Sequence, residues 1–274
     1  SGYITAFVFG IFAKFSFFKE DSSLPPFIIT WFSSIIPWTL CLLFGIFLTF
    51  NLRFDLIEAI RALLLPISAF SQSFGGFLLV VLLILFMYSF GISAWIIYPL
   101  LSLIWMEGQN ANLALVAQGL APINIHTYEV FQMCFIGGQG ATLALCLFMT
   151  FLAKSKRIKT VGRAALVPSI FNINEPIVYG APVAFNPTLM IPFWLAGLAN
   201  CVIVWIAFAS GFCTVPIEPF RMTMPSILYA PLALKSITGL ILHLVCFGAT
   251  AVIYYPFFKV YDKQCCEEES KTNA

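Results

Sequence analysis

The chain has 274 residues, of which 61% are hydrophobic and only 9% are charged, and its mean hydropathy is +0.96. Soluble domains carry roughly 25% charged residues, so this composition excludes an ordinary soluble protein and indicates a membrane protein. The net charge of +2 is too small to indicate a partner made of nucleic acid.

Uncharged apolar runs long enough to cross a bilayer follow one another along the chain. A spanning helix needs about 20 mostly apolar residues. Such runs cover residues 27–50, 62–106, 130–153, 176–217 and 236–258. We therefore predict an all-α polytopic membrane protein, embedded in lipid. Because Ser1 already lies in apolar sequence, we expect the chain to be the C-terminal portion of a longer protein.

Charged and apolar residues alternate in a different way between residues 51 and 65. Arg53, Asp55, Glu58 and Arg61 interleave with leucine, isoleucine and phenylalanine. This pattern predicts an amphipathic helix at the membrane interface. A helix that covers another part of the protein would have the same pattern.

The apolar run 130–153 contains three closely spaced glycines, Gly137, Gly138 and Gly140. Small residues let two helices approach closely in lipid, so a tight helix–helix contact is one interpretation. A re-entrant turn that presents backbone amides to a ligand is the other, and the sequence leaves both open.

Basic residues crowd the connection that follows residue 153. They are Lys154, Lys156, Arg157, Lys159 and Arg163. The positive-inside rule places this connection in the cytoplasm. Lys259 and Lys263 flank the last apolar run, and they predict a cytoplasmic C-terminus as well.

Residues 171–187 contain one carboxylate, Glu175, together with three asparagines and three prolines. Carboxylates at membrane depth usually face a protein interior or a water-filled cavity. Proline lacks an amide donor and breaks a straight helix, and broken backbone at that depth is tolerated where it lines a cavity. We therefore predict a substrate site here. Asn172 and Asn174 either contact the substrate or satisfy the broken backbone.

Cysteine, histidine and tryptophan give no further site. The eight cysteines and two histidines lack the spacing of a metal site, so no metal, cofactor or catalytic residue is predicted. His126 lies in a polar connection and is expected to be solvated. We expect most of the six tryptophans to anchor at the interface or pack between helices.

Several motifs occur in an order that is specific to one family. They are the glycine cluster 136–143, the basic stretches 153–156 and 159–162, Phe171-Asn172-Ile173-Asn174-Glu175-Pro176, and residues 254–264. Through these motifs the chain resembles the membrane-spanning permease subunit, enzyme IIC, of the lactose/cellobiose/diacetylchitobiose class of the phosphoenolpyruvate-dependent phosphotransferase system.

The resemblance implies a function and a set of partners. Members bind a β-linked disaccharide such as cellobiose, lactose or diacetylchitobiose outside a bacterial cell and carry it across the cytoplasmic membrane. A separate enzyme IIB donates a phosphoryl group from a phosphocysteine, so whether this subunit is itself an enzyme is left open. Members are homodimers, and the motif implies that Glu175 is the sugar-contacting carboxylate.

The resemblance also implies a division of the chain. Residues 1–50 would be the end of the dimer-interface spans, and residues 51–72 an amphipathic linker helix. Residues 73–264 would form the sugar-binding transport domain with re-entrant hairpins, followed by a polar tail at 265–274.

One departure from the family affects the site. Members carry a Gly-Ile-His-Gly motif whose histidine contacts the sugar, whereas this chain has Gly91-Ile92-Ser93-Ala94. Ser93 still donates and accepts a hydrogen bond, so we include it among the predicted sugar contacts with Glu175, Asn174 and Asn172. An ion-coupled secondary sugar transporter and a truncated, non-transporting sugar-sensing paralog are the alternative functions.

Overall fold

The computed structural model describes residues 2–12, 26–51, 62 and 66–272, and all the regular secondary structure in these ranges is helical. The predicted all-α fold is therefore confirmed. The chain divides into two compact units, residues 1–63 and 64–274. The charged positions of the predicted amphipathic helix, Arg53, Asp55, Glu58 and Arg61, lie outside the described residues.

The described part of the first unit contains α1 (Gly2–Ile11), α2 (Pro26–Ser33) and α3 (Ile35–Ile46), and α3 continues as a wider turn through Phe47–Asn51. Residues Ile28–Ile46 are long and apolar enough to cross a membrane. Within α3 the buried side chain is Pro37, and most of the large apolar side chains are exposed. Exposed apolar side chains of this kind suit a helix surrounded by lipid or by other apolar surface.

The second unit holds the larger core. After a helical stretch at residues 66–71, its helices are α4 (Phe74–Ser89), α5 (Tyr98–Ala117), α6 (Tyr128–Met133), α7 (Leu143–Phe151), α8 (Lys156–Ile170), α9 (Glu175–Gly180), α10 (Pro187–Ala209), α11 (Ser226–Leu234) and α12 (Ile237–Thr272). Helix α10 packs between α4 and α12, and α7 packs against α8. Buried side chains such as Phe77, Leu85, Phe193 and Tyr254 fill the space between these helices.

Two of these helices are long and apolar enough to cross a membrane, through Pro187–Ala209 and Ile237–Lys271. The apolar run 130–153 does not form one helix, because a turn separates α6 from α7. Gly137, Gly138 and Gly140 have φ angles of 83°, 96° and 73° in this turn. Glycine reaches such positive angles at little cost, so the glycine cluster is a turn and not a face of one continuous helix.

Hydrogen bonds join the C-terminal part of helix α12 to the basic connection that precedes α8. Asp262 accepts hydrogen bonds from the backbone N–H groups of Lys154 and Ser155, the shortest at 3.0 Å. Glu269 accepts bonds from Ser155 Oγ at 2.7 Å and from the N–H of Arg157 at 2.8 Å. These carboxylates therefore cap the start of α8, where N–H groups lack helical partners.

The connection between α10 and α11 lies near the other end of α12. The Lys235 ammonium, two residues before α12 begins, pairs with Glu218 at 2.7 Å. Tyr229 donates to the carbonyl of Phe220 at 3.1 Å, and the buried Glu129 accepts from the N–H of Phe220 at 3.0 Å. Most of the length of α12 therefore separates the Glu218–Lys235 pair from the hydrogen bonds that Asp262 and Glu269 accept.

His126 is buried, and the expectation that it is solvated was wrong. Its N–H donates to Gln72 Oε1 at 2.9 Å, and its carbonyl accepts from Gln72 Nε2 at 3.0 Å. The imidazole contacts the carbonyl of Ser71 through Nδ1 at 3.1 Å and packs edge-on against Phe77. Its polar partners come from a segment more than 50 residues earlier, which the local sequence does not reveal.

Candidate functional site

Residues 171–187 form the broken segment that the prolines predict. Helix α8 ends at Ile170, and Asn172, two residues further on, has a φ of 63°. The N–H of Asn172 bonds the carbonyl of Ser169 at 3.1 Å, and the N–H of Ile173 bonds that of Pro168 at 3.0 Å. This is the Schellman termination, in which a left-handed residue satisfies the last carbonyls of a helix. Asparagine is one of the few residues that adopts this conformation readily.

A short helix then presents Glu175 as its first residue. Helix α9 has six residues, and Pro176 occupies its second position. Proline is tolerated there because the first N–H groups of a helix have no helical partner. The chain turns again before α10, which Asn186 caps by accepting from the N–H of Thr188 at 3.1 Å.

Both predicted asparagines tie this segment to the glycine turn. Asn172 Oδ1 accepts from the N–H of Gly137 at 2.7 Å. Asn174 Nδ2 donates to the carbonyl of Gln139 at 2.6 Å and to Thr142 Oγ1 at 3.2 Å. A Cβ at Gly138 would lie 2.5 Å from Asn174 Cγ, so the close approach requires glycine there. These bonds satisfy backbone groups that the interrupted helices leave unpaired.

A cavity of about 150 Å³ opens where the two segments meet. Its walls combine a carboxylate, phenols, amides and an indole. The lining residues are Tyr88, Ala94, Trp95, Tyr98, Tyr128, Gln132, Phe135, Gly138, Gln139, Asn172, Asn174 and Glu175. The cavity is therefore polar on several sides within an apolar, helical unit.

Hydrogen bonds between the lining side chains determine what the cavity offers to a ligand. Tyr88 Oη donates to Glu175 Oε1 at 3.3 Å. Gln139 Nε2 donates to Tyr98 Oη at 2.6 Å, and in the same way Gln132 donates to the phenol of Tyr128 at 3.1 Å. A phenol oxygen that accepts a bond keeps its own O–H as a donor. A carboxylate acceptor facing phenol donors suits a ligand with many hydroxyl groups.

Three of the four predicted contacts line this cavity, namely Glu175, Asn174 and Asn172. The lining does not include Ser93, although it includes the next two residues, Ala94 and Trp95. Ser93 Oγ instead accepts from the N–H of Trp95 at 3.4 Å and caps the short 3₁₀ turn Ala94–Ile96.

The polar lining residues that were missed from the sequence include Tyr88, Tyr98, Tyr128 and Gln132. They lie on three different helices and follow no shared motif. Tyrosines in apolar runs have the pattern of packing residues, but a buried phenol needs a polar partner, and that requirement was the available signal. Among the described residues no group of three or more histidine, cysteine, aspartate or glutamate side chains is arranged to hold a metal ion.

Apolar helices of spanning length beside a polar cavity on broken backbone define a polytopic membrane protein of the transporter type. The model of the family described as phosphotransferase system, EIIC matches residues 1–197. The chain belongs to this family.

Individual relatives agree with this assignment. The chain is 32% identical over 266 residues to the lichenan permease IIC component of Bacillus subtilis (strain 168), covering 92% of this chain and 58% of the relative. It is 36% identical over 210 residues to the cellobiose-specific EIIC component of Geobacillus stearothermophilus, covering 74% of this chain and 47% of the relative.

A solved structure has the same fold. The crystal structure of the transporter ChbC, the IIC component of the N,N′-diacetylchitobiose-specific phosphotransferase system, matches with a TM-score of 0.72 and 29% identity. The match covers 97% of this chain and 64% of ChbC. The chain thus spans less than two thirds of each of these three relatives.

Proposed function

We propose that the protein is the sugar-translocating permease subunit, enzyme IIC, of a phosphoenolpyruvate-dependent phosphotransferase system. Its substrate would be a β-linked disaccharide of the cellobiose, lactose or diacetylchitobiose type. The relatives named for lichenan, cellobiose and diacetylchitobiose support this substrate class. The observation that carries the proposal is the polar cavity in which Glu175 meets phenols and amides on broken helices.

Glu175 would be the main sugar ligand. One carboxylate accepts several hydroxyl protons, and charge-assisted hydrogen bonds are stronger than neutral ones. Its bond from Tyr88 holds the carboxylate in place. Asn172 and Asn174 are proposed to share their polar atoms between the glycine turn and the sugar, since both line the cavity. Ser93, adjacent to the lining, is the remaining proposed contact.

The phosphoryl group would come from a phosphocysteine on enzyme IIB. Phosphoryl transfer depends mainly on positioning and on electrostatic stabilisation. A permease assists by holding the acceptor hydroxyl in line with the donor and by excluding competing water. The chain's own part is therefore to bind and orient the sugar, without carrying the phosphate.

The same proposal implies a location in the cell, a membrane topology and a homodimer. The protein would be a multi-pass component of the bacterial cytoplasmic membrane, with the connection 154–163 and the C-terminus in the cytoplasm, where IIB docks. Residues 73–264 would act as the transport domain. The homodimer would form through the spans that end in residues 1–50.

Transport assays in proteoliposomes test this function. Vesicles that contain phosphorylated IIB are expected to accumulate labelled cellobiose, lactose or diacetylchitobiose as the sugar phosphate. A IIB variant in which serine replaces the phosphorylated cysteine is the matched control and should give no product. Accumulation of unmodified sugar driven by a proton or sodium gradient would contradict the proposal, and so would binding of sugar without any uptake.

A further inference from the structure

We propose that Trp95 is the platform on which one ring of the disaccharide stacks, while the other ring occupies the cavity beside Glu175. The inference rests on the proposed sugar-permease function and specifies where the two rings lie. It assigns a binding role to a tryptophan for which the sequence pattern favoured anchoring or packing.

Exposure and position together set Trp95 apart from the other tryptophans. Its side chain is 71% exposed and lines the cavity. Trp105 is only 3% exposed, and Trp194 is occupied by a hydrogen bond from its Nε1 to Ser89 Oγ at 3.0 Å. Trp205 packs against phenylalanine rings of α4. An exposed apolar ring at the edge of a polar cavity is a typical mark of a binding surface.

The exposed pair Trp31 and Trp38 belongs to the first compact unit, and neither lines this cavity. Their side chains are 78% and 66% exposed. They therefore supply matched controls, because they share the exposure of Trp95 without its position.

The indole of Trp95 is held in a defined position. Ala94 beside it is 2% exposed, and Ser93 accepts a hydrogen bond from the Trp95 N–H at 3.4 Å. The ring centroid lies 5.2 Å from that of Tyr98, which in turn meets the buried Trp105 edge-on at 5.6 Å. A ring supported by a row of packed aromatic rings loses little freedom when a ligand stacks on it.

The cavity is too small to enclose both rings of a disaccharide, so one ring is left to contact Trp95. Its volume of about 150 Å³ is below the roughly 300–1,000 Å³ of pockets that enclose a drug-sized ligand. A disaccharide has two rings, so the second ring must extend beyond the enclosed space. Pyranose rings have an apolar face of C–H groups, and an aromatic ring attracts such positively polarised hydrogens through its negative face.

The division of the sugar between two subsites predicts a specific selectivity. Removing the indole should weaken binding of the disaccharide and leave binding of its monosaccharide almost unchanged. Titration calorimetry on the purified protein in detergent would measure both, pairing cellobiose with glucose, lactose with galactose and diacetylchitobiose with N-acetylglucosamine. We expect Trp95→Ala to raise the Kd of the bound disaccharide by about tenfold. Trp95→Phe should retain most of the affinity, and Trp31→Ala should change nothing.

Fluorescence provides a second measurement that does not depend on weak monosaccharide binding. A saturating disaccharide should change the tryptophan emission of the wild-type protein and of Trp31→Phe, and this change should be absent in Trp95→Phe. Unaltered disaccharide affinity in Trp95→Ala would overturn the inference. Equal losses for disaccharide and monosaccharide would also overturn it, since Trp95 would then support the cavity as a whole. If the wild-type protein binds none of these sugars, the proposed function itself fails.

Discussion

The buried side chain of His126 makes the free energy of unfolding depend on pH. The imidazole is fully buried in the connection before α6, and its Nε2 has no hydrogen-bond partner among the described residues. Burial penalises the charged imidazolium and lowers the pKa of His126 to about 4. The ordinary pKa of histidine is about 6.5, so the unfolded chain takes up a proton at a higher pH than the folded protein does.

The pH dependence follows from this difference. Above pH 6.5 the residue is neutral in both states, and its effect is constant. As the pH falls from about 6.5 towards 4, the unfolded state is favoured by up to about 1.4 kcal/mol per pH unit. Thermal unfolding in detergent between pH 7.5 and 5 should therefore show a falling midpoint in the wild-type protein. His126→Gln should show a shallower slope, and equal slopes would contradict this account.

At the same scale, the sequence predicted Glu175, Asn172 and Asn174 but not the phenols that line the cavity with them. Glu175 is recognisable because a carboxylate with prolines around it is expensive in an apolar segment. Tyr88 and Tyr128 come from distant helices, and only tertiary packing brings them to the cavity that Glu175 lines. The double use of Asn172, as a helix terminator and as a partner of Gly137, likewise depends on a contact across 35 residues.

Among the elements, the start of α8 depends on carboxylates supplied by α12. Asp262 is 5% exposed and accepts N–H bonds from Lys154 and Ser155. Asp262→Asn removes the charge and replaces one acceptor oxygen with an amide, leaving at least one buried N–H poorly paired. We expect the free energy of unfolding to fall by about 2 kcal/mol.

Glu267→Gln is the matched control for that prediction. Glu267 pairs only loosely with Lys263, at 3.9 Å on the exposed side of α12, and exposed pairs contribute about 0–1 kcal/mol. Denaturant unfolding of both variants would measure the difference. Similar, small losses in the two proteins would contradict the capping role of Asp262.

Element boundaries were predictable wherever proline or glycine enforces them. The prolines predict the interruption at 171–187, whereas at 136–142 a turn was one of two interpretations of the glycines. The continuation of α12 through the polar residues 265–272 was not evident, because its support comes partly from Glu269 bonding the start of α8. Long-range capping of this kind leaves no local signal in the sequence.

For the whole molecule, the contacts at the two ends of α12 predict on which side of the membrane each end lies. Asp262 bonds the basic connection at one end, and the Glu218–Lys235 pair lies just before the helix begins. The 25 residue steps from Ile237 to Asp262 rise by roughly 37 Å, which exceeds the hydrocarbon thickness of about 30 Å. The two ends are therefore expected on opposite sides of the membrane. Because the positive-inside rule places the basic connection 154–163 in the cytoplasm, we expect the C-terminus inside the cell and the connection that holds Glu218 outside.

Cysteine labelling would test this topology. In a background with Cys41→Ser and Cys266→Ser, whose thiols are the partly exposed ones, Glu218→Cys should react with an impermeant maleimide added outside intact cells. Ser270→Cys should react only after the membrane is permeabilised. The reverse pattern would contradict the orientation, and labelling of both from outside would contradict a membrane crossing between them.

The most direct test of the proposed site is sugar binding to the purified protein with and without the Glu175 carboxylate. The account predicts that one of cellobiose, lactose or diacetylchitobiose binds, that Glu175→Gln weakens this binding by at least about tenfold, and that Glu218→Gln, which removes an exposed carboxylate that does not line the cavity, leaves it unchanged. Undiminished binding in Glu175→Gln, or no binding of any of the three sugars to the wild-type protein, would contradict it.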